Sequence, residues 1–205
     1  MKFSLRLIAA LLAGLSLASG GVIEDAFQRL YNFDFAGSHR TLDPYIRDNP
    51  SDPLGHSTRA AIYLFSELDR LQVLAGEFLT DDKRISGDDV LEPNPVVRDK
   101  FFAAIAQAQK TAEASLLESP NDSNALFSFC LTEGMKTDYT AFIEKKQLRS
   151  LGSARKAHNY AVELIRRDPT FVDAHLTTGL TEYLVGSLPF FIRWFVRFEE
   201  VKGSK

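Results

Sequence analysis

Three proline-centred segments of this chain can be laid over one another, and their overlap restricts what the rest of it can fold into. They are DNPSDPLGHSTRAAIYL from Asp48, ESPNDSNALFSFCLTEG from Glu118 and RDPTFVDAHLTTGLTEY from Arg167. With Pro50, Pro120 and Pro169 aligned, the position five residues on is small in each (Gly55, Ala125, Ala174), and so is the position ten residues on (Ala60, Cys130, Gly179). Twelve residues before the prolines stand Ser38, Ala108 and Ala157. A proline ends one helix and opens the turn into the next, and small residues at fixed offsets let neighbouring helices approach closely. Apolar residues at helical spacing (Ala61, Ile62, Leu64, Phe65, Leu68, Leu71, Leu74, Ala75) predict a helix from 54 to about 78. The acidic loop TDDKRISGDDVLEPNP, residues 80–95, follows it, and a second long helix is expected over about 96–117. Shorter pairs are expected at about 22–33 with 36–47, and at 123–145 with 150–166. No segment reads as a strand, so the expected fold class is all-α, a solenoid of antiparallel helix pairs.

This pattern resembles the tetratricopeptide repeat, a helix-turn-helix unit of about 34 residues, over roughly Val22 to Glu182. The prolines are 70 and 49 residues apart, and the early aromatic of the first helix is replaced by His56, Leu126 and His175. The stretches TDYTAFIEKKQL, DPTFVDAHLTTGLTEYLVGSLP and KGSK are similar to a group of exported bacterial tetratricopeptide proteins of unassigned function. In that group a Gly-Asp-Lys-like turn leads into at least one more helix pair. This chain stops at the turn, in VKGSK, and so reads as truncated at its C-terminus. The resemblance implies a non-catalytic scaffold that holds a protein or peptide along a groove formed by the first helices. Repeat phase assigns Arg59, Tyr63, Thr132, Glu133, Lys136, Glu182 and Tyr183 to that groove. Some tetratricopeptide domains grip a C-terminal carboxylate with lysine and asparagine on successive first helices. The matching positions here are Ser57 and Ala61, Phe127 and Leu131, Leu176 and Leu180, so that clamp is not implied.

The N-terminus has the layout of a secretory signal. Lys2 and Arg6 precede an apolar run from Leu7 to Leu17, and small residues cluster at Ala18, Ser19, Gly20 and Gly21. Residues 1–18 therefore read as a signal peptide cleaved after Ala18 or Gly20, residues 22–205 as the helical-repeat domain, and the protein as periplasmic or secreted. Loss of two positive charges takes the net charge from -3 to -5, which argues against nucleic acid as a partner. A lone cysteine, Cys130, rules out an intramolecular disulfide, and its apolar context LFSFCL makes it core filler.

No pattern for catalysis, cofactor or metal emerges. His39 and His158, and likewise His56 and His175, are repeat-equivalent pairs without metal-ligand spacing. The acidic loop lacks the alternating oxygen ligands of a calcium site. The polar stretch 137–156, with Asp138 and Glu144 as its candidate bases, reads as a salt-bridged corner between helices.

Seven residues before its last, the chain carries LPFFIRWFVRF, residues 188–198. As a helix it would place Phe190, Phe191, Trp194, Phe195 and Phe198 over most of its circumference, on the order of 1,000 Å² of aromatic surface. Monomers rarely leave more than a few hundred Å² of contiguous apolar surface exposed. A further or folded-back repeat, a partner, or peripheral contact with a membrane surface would each cover it.

Overall fold

The computed structural model of the chain describes residues 21–74, 91–175 and 177–179. In chain order its elements are α1 (Val22–Tyr31), α2 (Phe35–Asp48), α3 (Pro53–Arg70), α4 (Pro95–Glu118), α5 (Ser123–Asp138), a π-helical turn (Tyr139–Ile143) and α6 (Gln147–Arg167). Residues 172–175 and 177–179 are again helical, and no strand occurs among the described residues. The chain is all-α, as its periodicity predicts. The segment 1–18, most of the acidic loop, Glu182, Tyr183 and the aromatic face from Phe190 to Phe198 lie outside the described residues.

The three prolines sit in three turns of nearly the same geometry. Asn49, Ser119 and Asp168 end α2, α4 and α6 with φ/ψ of -129/62, -134/89 and -135/87. Their N–H groups donate to Tyr45, Ser115 and Leu164, each four residues back. Their carbonyls then accept from Asp52, Asp122 and Phe171 at 3.1, 3.0 and 3.1 Å, closing a β-turn with proline at its second position. Asp52 and Asp122 cap α3 and α5 through the N–H groups of Leu54, and of Asn124 and Ala125. Each capping carboxylate is also held from the last turn of the preceding helix, by Tyr45 Oη at 2.6 Å in one case and by Ser115 Oγ in the other.

The small residues mark the closest approaches. A Cβ added to Gly55 would lie 3.1 Å from Ile46 and 3.3 Å from the Tyr45 ring, and Ala125 and Ala174 are fully buried at the same offset. Ser38, Ala108 and Ala157 are buried too, and Ser38 Oγ donates to the Ala26 carbonyl at 2.6 Å. Ala60 and Cys130 are buried, whereas Gly179 is exposed. Packing follows chain order: α1 on α2, α3 on α4 and α5 on α6, with α2–α3 and α4–α5 joining the pairs. In addition α1 touches α3, and α3 touches α5. A buried hydrogen bond of 2.7 Å joins Ser57 to Ser128 between those last two. Helix α3 is central, with Leu54, Ala60, Ala61, Ile62, Leu64 and Leu68 all buried. Each of its large aliphatic side chains contributes roughly 1.5–3 kcal/mol.

The first helix of each pair ends differently. Phe33, Gln72 and Lys145 have φ of 60°, 58° and 57°. Asp34 N donates to Arg29 O, and Val73 N to Leu68 O, which are the long-range bonds of a Schellman ending. Helix α3 therefore stops at Arg70, short of the expected 78, because the chain turns left-handed at Gln72 although Leu71 and Leu74 continue the apolar spacing. The helix expected over 123–145 likewise leaves α geometry at Tyr139, where Glu144 N donates to Tyr139 O. The π turn seats the Tyr139 ring against Phe101, stacked at 5.2 Å, with Phe102 edge-on at 5.1 Å.

A β-carbon is strained at these left-handed positions. Gln72 is exposed, and its side chain gives one hydrogen bond, to the Asp69 carbonyl. Gln72→Gly is expected to raise unfolding free energy by ~0.5–1 kcal/mol, measured by urea denaturation. A loss of stability on that substitution would show that the side-chain bond outweighs the strain.

Candidate functional site

Position along the repeat decides where the polar side chains go. Eleven residues before each proline stand His39, Gln109 and His158, on α2, α4 and α6, and thirteen after the first two stand Tyr63 and Glu133, on α3 and α5. The structure brings His39 to Tyr63 and Gln109 to Glu133 in two seams, each between the second helix of one pair and the first helix of the next.

In the α2–α3 seam the His39 imidazole lies 4.7 Å from the Tyr63 ring. Arg59 Nη2 donates to Asp43 Oδ1 at 2.5 Å. Burial lowers the pKa of His39 below its ordinary 6.5; Arg59 and Lys100 push in the same direction and Asp43 opposes them. In the α4–α5 seam Gln109 Nε2 donates to Thr132 Oγ1 at 3.1 Å and to Glu133 Oε1 at 3.0 Å. Lys136 Nζ donates to the same Glu133 oxygen at 2.8 Å. Beside this seam Phe129 and Tyr160 stack at 4.8 Å. Four buried atoms of the repeat-equivalent positions and their neighbours have no hydrogen-bond partner: His39 Nδ1, Arg59 Nε, Glu133 Oε2 and His158 Nδ1.

Of the residues that repeat phase assigns to a groove, Arg59 and Tyr63 thus occupy one seam, and Thr132, Glu133 and Lys136 the other. Arg59, Tyr63 and Lys136 keep some exposure, while Thr132 and Glu133 are buried. Gln109 escaped the sequence reading although it shares the offset of His39 and His158. That shared offset is the signal that identifies it.

Glu67 was also missed. Its buried carboxylate accepts from Arg70 Nε and Nη2 at 2.9 and 2.7 Å and from the Asn94 N–H at 2.6 Å. Arg70 also donates to the Glu92 carbonyl at 2.7 Å. Burial alone would raise the pKa of Glu67, but the Arg70 and Asn94 hydrogen bonds hold it below the ordinary value. This clasp joins the end of α3 to the start of α4 across the acidic loop.

Among the described residues no three His, Cys, Asp or Glu side chains converge as metal ligands, and no helix is long and apolar enough to cross a membrane. Cys130 is buried, with its Sγ 3.4 Å from Thr177 Oγ1, and burial raises its pKa to about 11. Glu144 is engaged by Lys146 at 3.3 Å. Comparison with protein-family models, with characterised proteins and with solved structures finds no match for this chain.

Two carboxyls carry a pH signature. Asp138 keeps some contact with solvent but is walled by protein atoms, and burial raises its pKa to about 7. Asp173 is buried, and its pKa rises to about 6 for the same reason. A folded-state pKa above the unfolded 3.8 contributes stability that is complete below 3.8 and lost as pH climbs through 6 and 7. His39, with its lowered value, acts in the opposite sense as pH rises through 6.5. Asp138→Asn with Asp173→Asn should therefore remove a fall in the urea midpoint between about pH 5 and pH 8. A double variant that reproduces the wild-type pH profile would show that neither carboxyl is neutral in the fold.

Proposed function

We propose that this protein is an exported, non-catalytic scaffold of tetratricopeptide type, a solenoid of helix pairs that binds a protein or peptide partner. The observation that carries the reading is the threefold recurrence of one proline turn at one position of the sequence repeat. Contacts of α1 with α3 and of α3 with α5 support stacking of successive first helices, the arrangement by which repeat proteins build an extended binding surface. Arg59, Tyr63 and Lys136 are the partly exposed residues through which the partner is held, with the buried Glu133 holding Lys136 in place.

The test is affinity purification of the tagged protein from periplasmic and secreted fractions. A stoichiometric partner should accompany a mature chain beginning at Ser19 or Gly21. Tyr63→Ala combined with Lys136→Ala should weaken capture about tenfold, as hot-spot truncations do. Retention in the cytoplasm with an intact N-terminus would overturn the exported part of the reading, and absence of any stoichiometric partner the scaffold part.

A further inference from the structure

Charge is spread unevenly along this chain, and α6 is where basic residues gather. The protein is acidic as a whole, with a net charge of -3. Helix α6 nevertheless carries Arg149, Arg155, Lys156, Arg166 and Arg167 against one acid, Glu163. Glu163 accepts from both Arg166 and Arg167 at 2.6 Å, so that trio keeps a positive charge in surplus. Arg149 and Lys156 are exposed, and among the described residues no ion pair or hydrogen bond engages either side chain.

The same helix exposes apolar residues beside those cations. Its buried positions are Ser150, Ala157, Ala161 and Leu164. Steps of three, four and seven return to one face of a helix, so these four form its inner side. Leu148 and Val162, 72% and 46% exposed, are two such sevens apart and share a different side. Arg149 and Lys156 run as a parallel row about a quarter-turn from them. Helix α6 packs on α5 and the π turn, and what it leaves exposed is the rounded surface of a single helix. Peptides bind in grooves or along sheet edges. A rounded face that sets leucine and valine beside cations suits a broad anionic surface into which apolar tips can sink, which is the headgroup region of a lipid bilayer.

We propose that the exposed face of α6 docks the protein on an anionic phospholipid surface, with Arg149 and Lys156 meeting lipid phosphates and Leu148 and Val162 entering the interface. The helix then lies along the bilayer plane. This surface is separate from the aromatic segment 188–198, and its action does not depend on the partner-binding reading. Its apolar area is small, so charge supplies most of the attraction and salt weakens it.

The test is co-sedimentation of the mature protein with vesicles of phosphatidylcholine alone, or of phosphatidylcholine and phosphatidylglycerol in equal parts. Binding to the mixed vesicles only, falling as sodium chloride is added, is the expected result. Arg149→Ala with Lys156→Ala should lower the partition coefficient about thirtyfold, since each basic residue near an anionic surface contributes roughly fivefold. Leu148→Ala with Val162→Ala should lower it about tenfold and leave the salt dependence as it is. All four positions are exposed, and an unchanged urea midpoint checks that the variants fold. Equal binding to both kinds of vesicle, or to neither, would overturn the proposal. So would binding that survives the α6 substitutions and is lost in Trp194→Ala with Phe195→Ala, which would put the contact in residues 188–198. Poly-glutamate bound in place of vesicles would make α6 a surface for acidic proteins and equally sink the membrane assignment.

Discussion

Everything else in this fold depends on the hydrogen-bonded proline turn that joins the second helix of one pair to the first helix of the next. It fixes two things together. The bond from residue 52, 122 or 171 back to residue 49, 119 or 168 sets the direction in which the chain leaves. The absence of a side chain at Gly55, and its smallness at Ala125 and Ala174, sets how closely the new helix lies on the old one. Where an aspartate caps the new helix, the old helix also holds that aspartate, so cap and crossing are a single unit. The third turn keeps the backbone bond without the aspartate. Phe171 takes its place and packs its ring 5.0 Å from Phe127, an apolar contact substituting for a polar one. A backbone solution kept while its side-chain support changes is the constrained element of the fold.

The turns within pairs are under weaker constraint. They end on left-handed Phe33, Gln72 and Lys145, residues with no special tolerance for that conformation. They hold because long antiparallel helices on either side bury enough surface to outweigh a strain of roughly 1–2 kcal/mol. The same tolerance holds where a longer segment separates α3 from α4. Residues 71–94 leave and return at one place because Glu67 is bonded to both ends, through Arg70 and through the Asn94 N–H. A buried carboxylate without those partners would be costly, and with them it acts as a staple.

These two kinds of turn account for what could be read from the sequence. Proline at a recurring offset, with small residues five, ten and twelve positions away, carries physical meaning at each site, and helix order and fold class follow from it. The left-handed endings carry no such mark. Neither glycine nor asparagine stands at 33, 72 or 145, and the apolar spacing runs on through Leu71 and Leu74, so α3 looked longer than it is. The π turn at Tyr139 was equally hidden, since one extra residue per turn hardly changes a pattern of aromatic and polar residues over five positions. The groove assignment came from counting along the repeat. Positions nine and thirteen after the proline, Arg59, Tyr63 and Glu133, face the preceding second helix, which is why they meet His39, Asp43 and Gln109.

The two seams share a backbone and differ in their side chains. At the same two positions one seam holds an imidazole and a phenol ring, and the other an amide and a carboxylate. The second leaves over an acceptor, because Gln109 and Lys136 both donate to Glu133 Oε1 and Oε2 has no partner. The first leaves over a donor, because an arginine that shares its guanidinium with an exposed aspartate retains an Nε–H with nothing to receive it. The position matching Arg59 in the next segment is Phe129, which stacks on Tyr160 of α6. Each seam therefore keeps a buried polar atom unmet, a donor in one and an acceptor in the other, at a cost that the surrounding apolar packing offsets.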